Sequence, residues 1–101
     1  MIIHLEKAED FEKEISQGLV LVDFYADWCG PCSMLAPIIE ELDNQMSIKV
    51  VKINTDFVPD IARIFRIMSI PTLLLFEDGK LINKTMGYMP LEALKKFVSK
   101  S

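Results

Sequence analysis

Residues 19–26 read Leu19-Val20-Leu21-Val22-Asp23-Phe24-Tyr25-Ala26, a nearly unbroken run of apolar and β-favouring side chains. A strand apolar on both sides needs a packed layer on each face, so this run predicts a central strand inside a sheet covered twice. The segments around it alternate between strand-like and helix-like periodicity. Ile2 to His4 suits a short strand, and Ala8 to Ser16 carries Phe11 and Ile15 at helical spacing. From Cys32 to Met46 the apolar positions Leu35, Ile38, Ile39, Leu42 and Met46 form one stripe opposite Glu40, Glu41, Asp43 and Asn44, which predicts an amphipathic helix. Pro31 suits its first turn, whereas Pro37 falls inside the pattern and predicts a bend. Ile48 to Asn54 reads as a second buried strand, and Val58 to Phe65 as a short helix with Ile61, Ala62 and Phe65 inward. Thr72 to Phe76 and Leu81 to Met86 flank Glu77-Asp78-Gly79-Lys80, where Asp-Gly signals a hairpin. Pro90 to Lys100 closes the chain as a helix with Leu91, Leu94, Phe97 and Val98 on one stripe, and with Lys95, Lys96 and Lys100 at the negative end of its dipole. The order is βαβαβαββα. Strands joined through helices are expected to run parallel and the hairpin antiparallel, giving an α/β fold with a mixed central sheet and helices on both faces.

At 101 residues and about 150 residues per domain, one domain spanning 1–101 is expected. Eleven basic against fifteen acidic residues leave a formal charge of −4, the wrong sign for a protein that neutralises a nucleic-acid backbone. The apolar runs, such as Ile70 to Phe76, fall short of the roughly 20 residues of a membrane-spanning helix, so no membrane role is expected. The start Met1-Ile2-Ile3-His4-Leu5-Glu6 lacks the basic and apolar regions of a secretory signal, and a cytoplasmic location follows as an expectation. In that compartment permanent structural disulfides are rare. The two cysteines, Cys29 and Cys32, therefore call for another explanation.

Cys29-Gly30-Pro31-Cys32 lies where the central strand ends and the long helix begins. Unpaired amide protons and the positive end of the dipole stabilise a thiolate there, which makes Cys29 the nucleophile. Cys32, one helical turn on, is placed to attack a mixed disulfide on Cys29. A metal site is the plainer alternative, but zinc prefers a tetrahedral ligand set, and the chain adds a single histidine, the distant His4. Two inert thiols would leave the intervening Gly30 and Pro31 unexplained. Trp28 fits either a core position or a flat apolar surface for a partner polypeptide. Asp23 interrupts a strand read as buried, where a carboxyl group must be neutralised or stay protonated. It can then shuttle the Cys32 proton, unless its strand end is solvated. Lys52, in Val50-Val51-Lys52-Ile53, is a candidate partner of opposite charge beneath the site, or a lysine that snorkels to water. Pro71 in Ile70-Pro71-Thr72 suits a strand start, with a cis bond one option. His4 reads as an ordinary strand or surface histidine, Gly87 as a turn, and the six methionines as core filler.

Val22-Asp23-Phe24-Tyr25-Ala26-Asp27-Trp28-Cys29-Gly30-Pro31-Cys32 closely resembles the active-site segment of the thioredoxin family. Pro37, Lys52, Ile70-Pro71-Thr72, Asp78-Gly79 and Gly87 extend the resemblance over essentially the whole chain, as in a complete minimal member. It implies a protein disulfide reductase with Cys29 attacking, Cys32 resolving, and Asp23 and Lys52 as the buried acid and its modulator. It also implies that Pro71 is cis, that the Ile70 backbone pairs with an extended client segment, and that Trp28, Gly30, Pro31, Ile70, Pro71 and Gly87 form the docking surface. No cofactor would be bound: electrons would come from NADPH through thioredoxin reductase to a monomer that passes them to disulfide-containing clients. Ser33, Tyr25, Met68-Ser69 and Tyr88 depart from the family's commonest pattern. The alternatives are a disulfide oxidase or isomerase, which requires a less reducing potential, and a binding subunit that docks partners without turnover.

Overall fold

The computed structural model describes residues 1–99. Its elements are β1 (Ile2–His4), a 3-10 turn at Ala8–Asp10 continuing into α1 (Phe11–Glu14), β2 (Leu19–Tyr25), α2 (Gly30–Gln45), β3 (Lys49–Asn54), α3 (Pro59–Ile64), β4 (Thr72–Glu77), β5 (Lys80–Met86) and α4 (Leu91–Val98). Lys100, expected in the last helix, lies outside the described residues. The strands form one sheet in the order β1-β3-β2-β4-β5, with β2 at its centre.

Period-2 alternation along β2 divides the core between the faces. Val20, Val22 and Phe24 point to the face covered by α1 and α3, where they meet Phe11, Ile15, Val58 and Ile61. The rings of Phe11, Phe65 and Phe76 close that side edge to face, with centroids 5.8 to 5.9 Å apart, the arrangement favoured by ring quadrupoles. Leu21 points the other way, to Leu35, Ile39 and Leu42 of α2 and Leu94 and Val98 of α4. Asp23 shares the parity of Leu21, so the pleat aims its carboxyl group at the face that carries α2.

One expectation about strand direction is corrected. β3 pairs in parallel with β1 and with β2, but β4, reached from β3 through α3, runs antiparallel to β2. The six residues of α3 rise about 9 Å, less than the roughly 20 Å of β3, and the segment after α3 does not run back along the sheet: register sets Thr72, the first residue of β4, opposite Phe24 near the end of β2. β4 therefore starts at the end where β2 and β3 finish, which places the Ile70–Pro71 segment beside the start of α2.

The hairpin between β4 and β5 turns through Asp78 (φ 51°) and Gly79 (φ 84°), the paired left-handed conformation that matches strand twist. Its tip is tied down by the Gly18 N–H donating to the Asp78 carboxylate at 2.8 Å and the Asp78 N–H donating to the Gly18 carbonyl at 2.9 Å. A Cβ at position 79 would meet only ordinary contacts, 3.9 Å from Ser16. Gly79→Ala should therefore cost only the left-handed backbone penalty, about 1 to 2 kcal/mol, read as a lower denaturant midpoint with an unchanged slope.

Candidate active site

Cys29 caps α2. Its Sγ accepts the Cys32 N–H at 3.2 Å and its carbonyl accepts the Ser33 N–H at 3.1 Å, so the sulfur occupies the place where a helix start binds negative charge. Pro31 takes a first-turn position whose amide proton would have no intrahelical partner. Cys29 and Cys32 are joined as a disulfide with Cα atoms 5.2 Å apart. On the opposite wall the Ile70–Pro71 bond is cis, and the Ile70 carbonyl oxygen lies 3.7 Å from the Cys29 Sγ. Gly87 (φ 89°) donates its N–H to the Pro71 carbonyl at 2.8 Å, joining the end of β5 to this wall. Cys29 is 5% exposed in the disulfide form, more covered than an open nucleophile would be. It packs with Cys32 and Ala26 against Tyr25 and Ile70, while Gly30 and Pro31 are exposed beside it.

Trp28 is 73% exposed and donates its indole N–H to the Asp56 carboxylate at 2.9 Å. That excludes a core role. The Asp56 N–H in turn donates to the side chain of buried Asn54 at 2.9 Å. Sequence reasoning missed Asn54 and Asp56: as a polar pair after a strand they signal a turn, and only the fold shows that the turn comes back to Trp28.

Asp23 is 3% exposed, and its Oδ1 has no hydrogen-bond partner among the described residues, so the solvated alternative does not hold. Register places Asp23 directly opposite Lys52, whose Nζ reaches the Asp23 Oδ2 at 4.0 Å. Burial raises the Asp23 carboxyl pKa to about 6, with the Lys52 charge opposing the rise. Lys52 is partly buried and also lies 4.7 Å from the centroid of the Tyr25 ring. Between it and α2 is a cavity of about 220 Å3 lined by Cys32, Ser33, Ala36, Tyr25 and Lys52, roomy enough for water. Cys32 and Lys52 thus face one small space.

Four of the six methionines correct an expectation: Met68 is 91% exposed and Met1, Met34 and Met86 are also exposed, whereas Met46 and Met89 are partly buried and pack against the core on the α2–α4 face. Met34 follows Cys32 by two residues, Met68 precedes Ile70 by two, and Met86 sits opposite Thr72 and accepts a hydrogen bond from the Ser69 hydroxyl at 3.5 Å. Helical spacing alone did not distinguish Met34 from the buried stripe, and flexible thioethers suit an adaptable surface as well as a core. His4, on the edge strand β1, is exposed as expected. Among the described residues no group of three or more His, Cys, Asp or Glu could hold a metal ion, and no helix is long and apolar enough to cross a membrane.

A disulfide-forming sulfur pair whose first sulfur caps a helix start is equipped for dithiol–disulfide exchange. Relatives match it closely. The chain is 47% identical over 94 residues to a thioredoxin of Bacillus subtilis (strain 168), covering 91% of this chain and 90% of that one. It is 46% identical over 92 residues to a thioredoxin of Listeria monocytogenes, covering 89% of each. A solved mutant thioredoxin from Halobacterium salinarum superposes with a TM-score of 0.90 at 35% identity, over 97% of this chain and 88% of that one. The Thioredoxin family model matches residues 2–100, and with the geometry above this establishes that the chain belongs to the thioredoxin family.

Proposed function

We propose that this chain is a general protein disulfide reductase in which Cys29 attacks and Cys32 resolves. The observation that carries the reading is the Cys29–Cys32 disulfide seated on the first amide groups of α2. In the reduced protein the Cys29 thiolate bonds to one client sulfur and expels the other as a thiolate, which takes up a proton. Cys32 loses its proton towards Asp23 through the cavity bordered by Lys52, and its sulfur attacks Cys29. The Cys29–Cys32 disulfide forms and the client leaves as a dithiol, two electrons richer. Lys52 acts as the modulator of Asp23. Trp28, Gly30, Pro31, Ile70, Pro71 and Gly87 dock the client, with the Ile70 backbone pairing to an extended segment.

The oxidised form is returned to the dithiol by thioredoxin reductase drawing on NADPH, which binds the reductase and not this chain. We place the protein in the cytoplasm, working as a single-domain monomer. The test is reduction of insulin disulfides with NADPH and a thioredoxin reductase, and separately with dithiothreitol as the electron source. Turnover with either is expected, and failure with both would refute the reading. Trp28→Ala should raise KM for insulin roughly tenfold, the scale of an interface anchor, while leaving the rate with a small aromatic disulfide nearly unchanged.

A further inference from the structure

The strand that carries Asp23 also carries Tyr25, two residues further on, and the Lys52 ammonium is shared between them. It lies 4.0 Å from the Asp23 carboxylate and 4.7 Å from the Tyr25 ring centroid. The first distance is too long for a hydrogen bond, although the carboxylate has an oxygen with no partner among the described residues. The second is well inside the range of a cation over an aromatic face. Tyr25 is itself fixed. Its carbonyl accepts the Thr55 N–H at 2.9 Å and strand register sets it opposite Asn54, which is held through Asp56 on the turn that also holds Trp28. Burial, and then the nearby Asp27, raise the Tyr25 hydroxyl pKa while Asn54 lowers it, so the ring stays neutral and attractive to a cation at neutral pH.

We infer that Tyr25 is a positioning residue that holds Lys52 back from Asp23 and so sets how readily Asp23 takes the Cys32 proton. The inference rests on the reductase reading for its consequence, not for its geometry. If the ring is removed, the ammonium loses one of its two attractions and closes on the carboxylate, which favours the ionised acid. Other charged or titrating groups can act on the pair. Asp27 lies on the β2 side, His4 and Glu6 on the β1 side, and Glu40 and Cys32 on α2; each lines a cavity that Lys52 also lines. His4, Glu6, Asp27 and Cys32 border Tyr25 as well, so any effect they exert on Asp23 after a change at Tyr25 is read in the background that lacks the Lys52 ammonium.

The experiment is titration of the Asp23 carboxyl carbon by NMR in the disulfide form, where neither cysteine ionises. In Tyr25→Leu the midpoint should fall by about one pH unit, the scale of a cation approaching a buried carboxylate. In Tyr25→Phe, which keeps the ring, it should move by a few tenths at most. Tyr25→Met supplies the same test if the leucine variant does not fold. Repeating the substitution in a Lys52→Met background separates the ammonium's movement from added solvation: the shift should vanish there. An unchanged midpoint in the Lys52 protein, or an equal fall in both backgrounds, overturns the inference. The low-pH limb of the resolving step, followed by client release, should move down with the midpoint. A shift in the titration without insulin reduction by the parent protein would instead refute the reductase reading and leave the Lys52 geometry standing.

Discussion

Cys32→Ser is expected to accumulate a stable mixed disulfide with a client through Cys29, while Cys29→Ser accumulates none. The asymmetry follows from the helix start. Only the Cys29 sulfur accepts an amide proton of the first turn, at 3.2 Å from the Cys32 nitrogen, and only its thiolate is stabilised by the dipole end it caps. Cys32 lies inside α2 at the wall of a small cavity, one helical turn from Cys29, where its sulfur can attack the Cys29 sulfur and expel the client thiolate. Either substitution should lower insulin reduction by a factor on the order of 10^3 or more, the loss seen when a covalent catalyst loses its nucleophile or its partner. Non-reducing gels and mass measurement of the trapped adduct provide the check. Adducts through Cys32 in the Cys29→Ser variant would reverse the assignment.

The chain itself signalled much of this arrangement, for a physical reason: the periodicities are set by burial on two faces. Leu19 to Tyr25 could be read as the central strand because its apolar character does not alternate, and Asp78-Gly79 as a hairpin because the turn requires left-handed backbone there. The cysteine pair stood out because it lay at the boundary between two periodicities. What stayed hidden depends on contacts across the fold. No local pattern shows that β4 starts at the end of the sheet where β2 finishes, or that this brings Ile70 to Cys29. Nothing in Asn54-Thr55-Asp56 announces a hydrogen bond to Trp28. Met34, Met68 and Met86 resemble core residues by polarity, yet they are exposed, because the positions flanking the cysteines and the Ile70 wall face outward. Asp23 could be suspected from its apolar neighbours, but its lack of a partner for one oxygen could not.

Asp23→Asn should make the disulfide form more stable at neutral pH and the reduced form slower at its task. The carboxyl group has an ordinary value of 3.8 and is raised to about 6 in the fold, chiefly by burial. Between about pH 4 and pH 6 the folded chain therefore keeps a proton that the unfolded chain has released, and stability declines as pH rises through that window. At pH 7 the whole penalty is present. A shift of about two units corresponds to roughly 3 kcal/mol, which the uncharged, similarly shaped asparagine does not incur. Denaturation of parent and variant should differ by about that amount at pH 7 and converge below about pH 4, where Asp23 is protonated in both states. The gain comes at the expense of the proton acceptor for Cys32. Release of client from the mixed disulfide should slow by about a hundredfold at pH 7, within the range of a lost general base, while the first attack by Cys29 is little changed. Equal stability of the two proteins at pH 7, or equal client release, would show that the group is neither buried at a cost nor used.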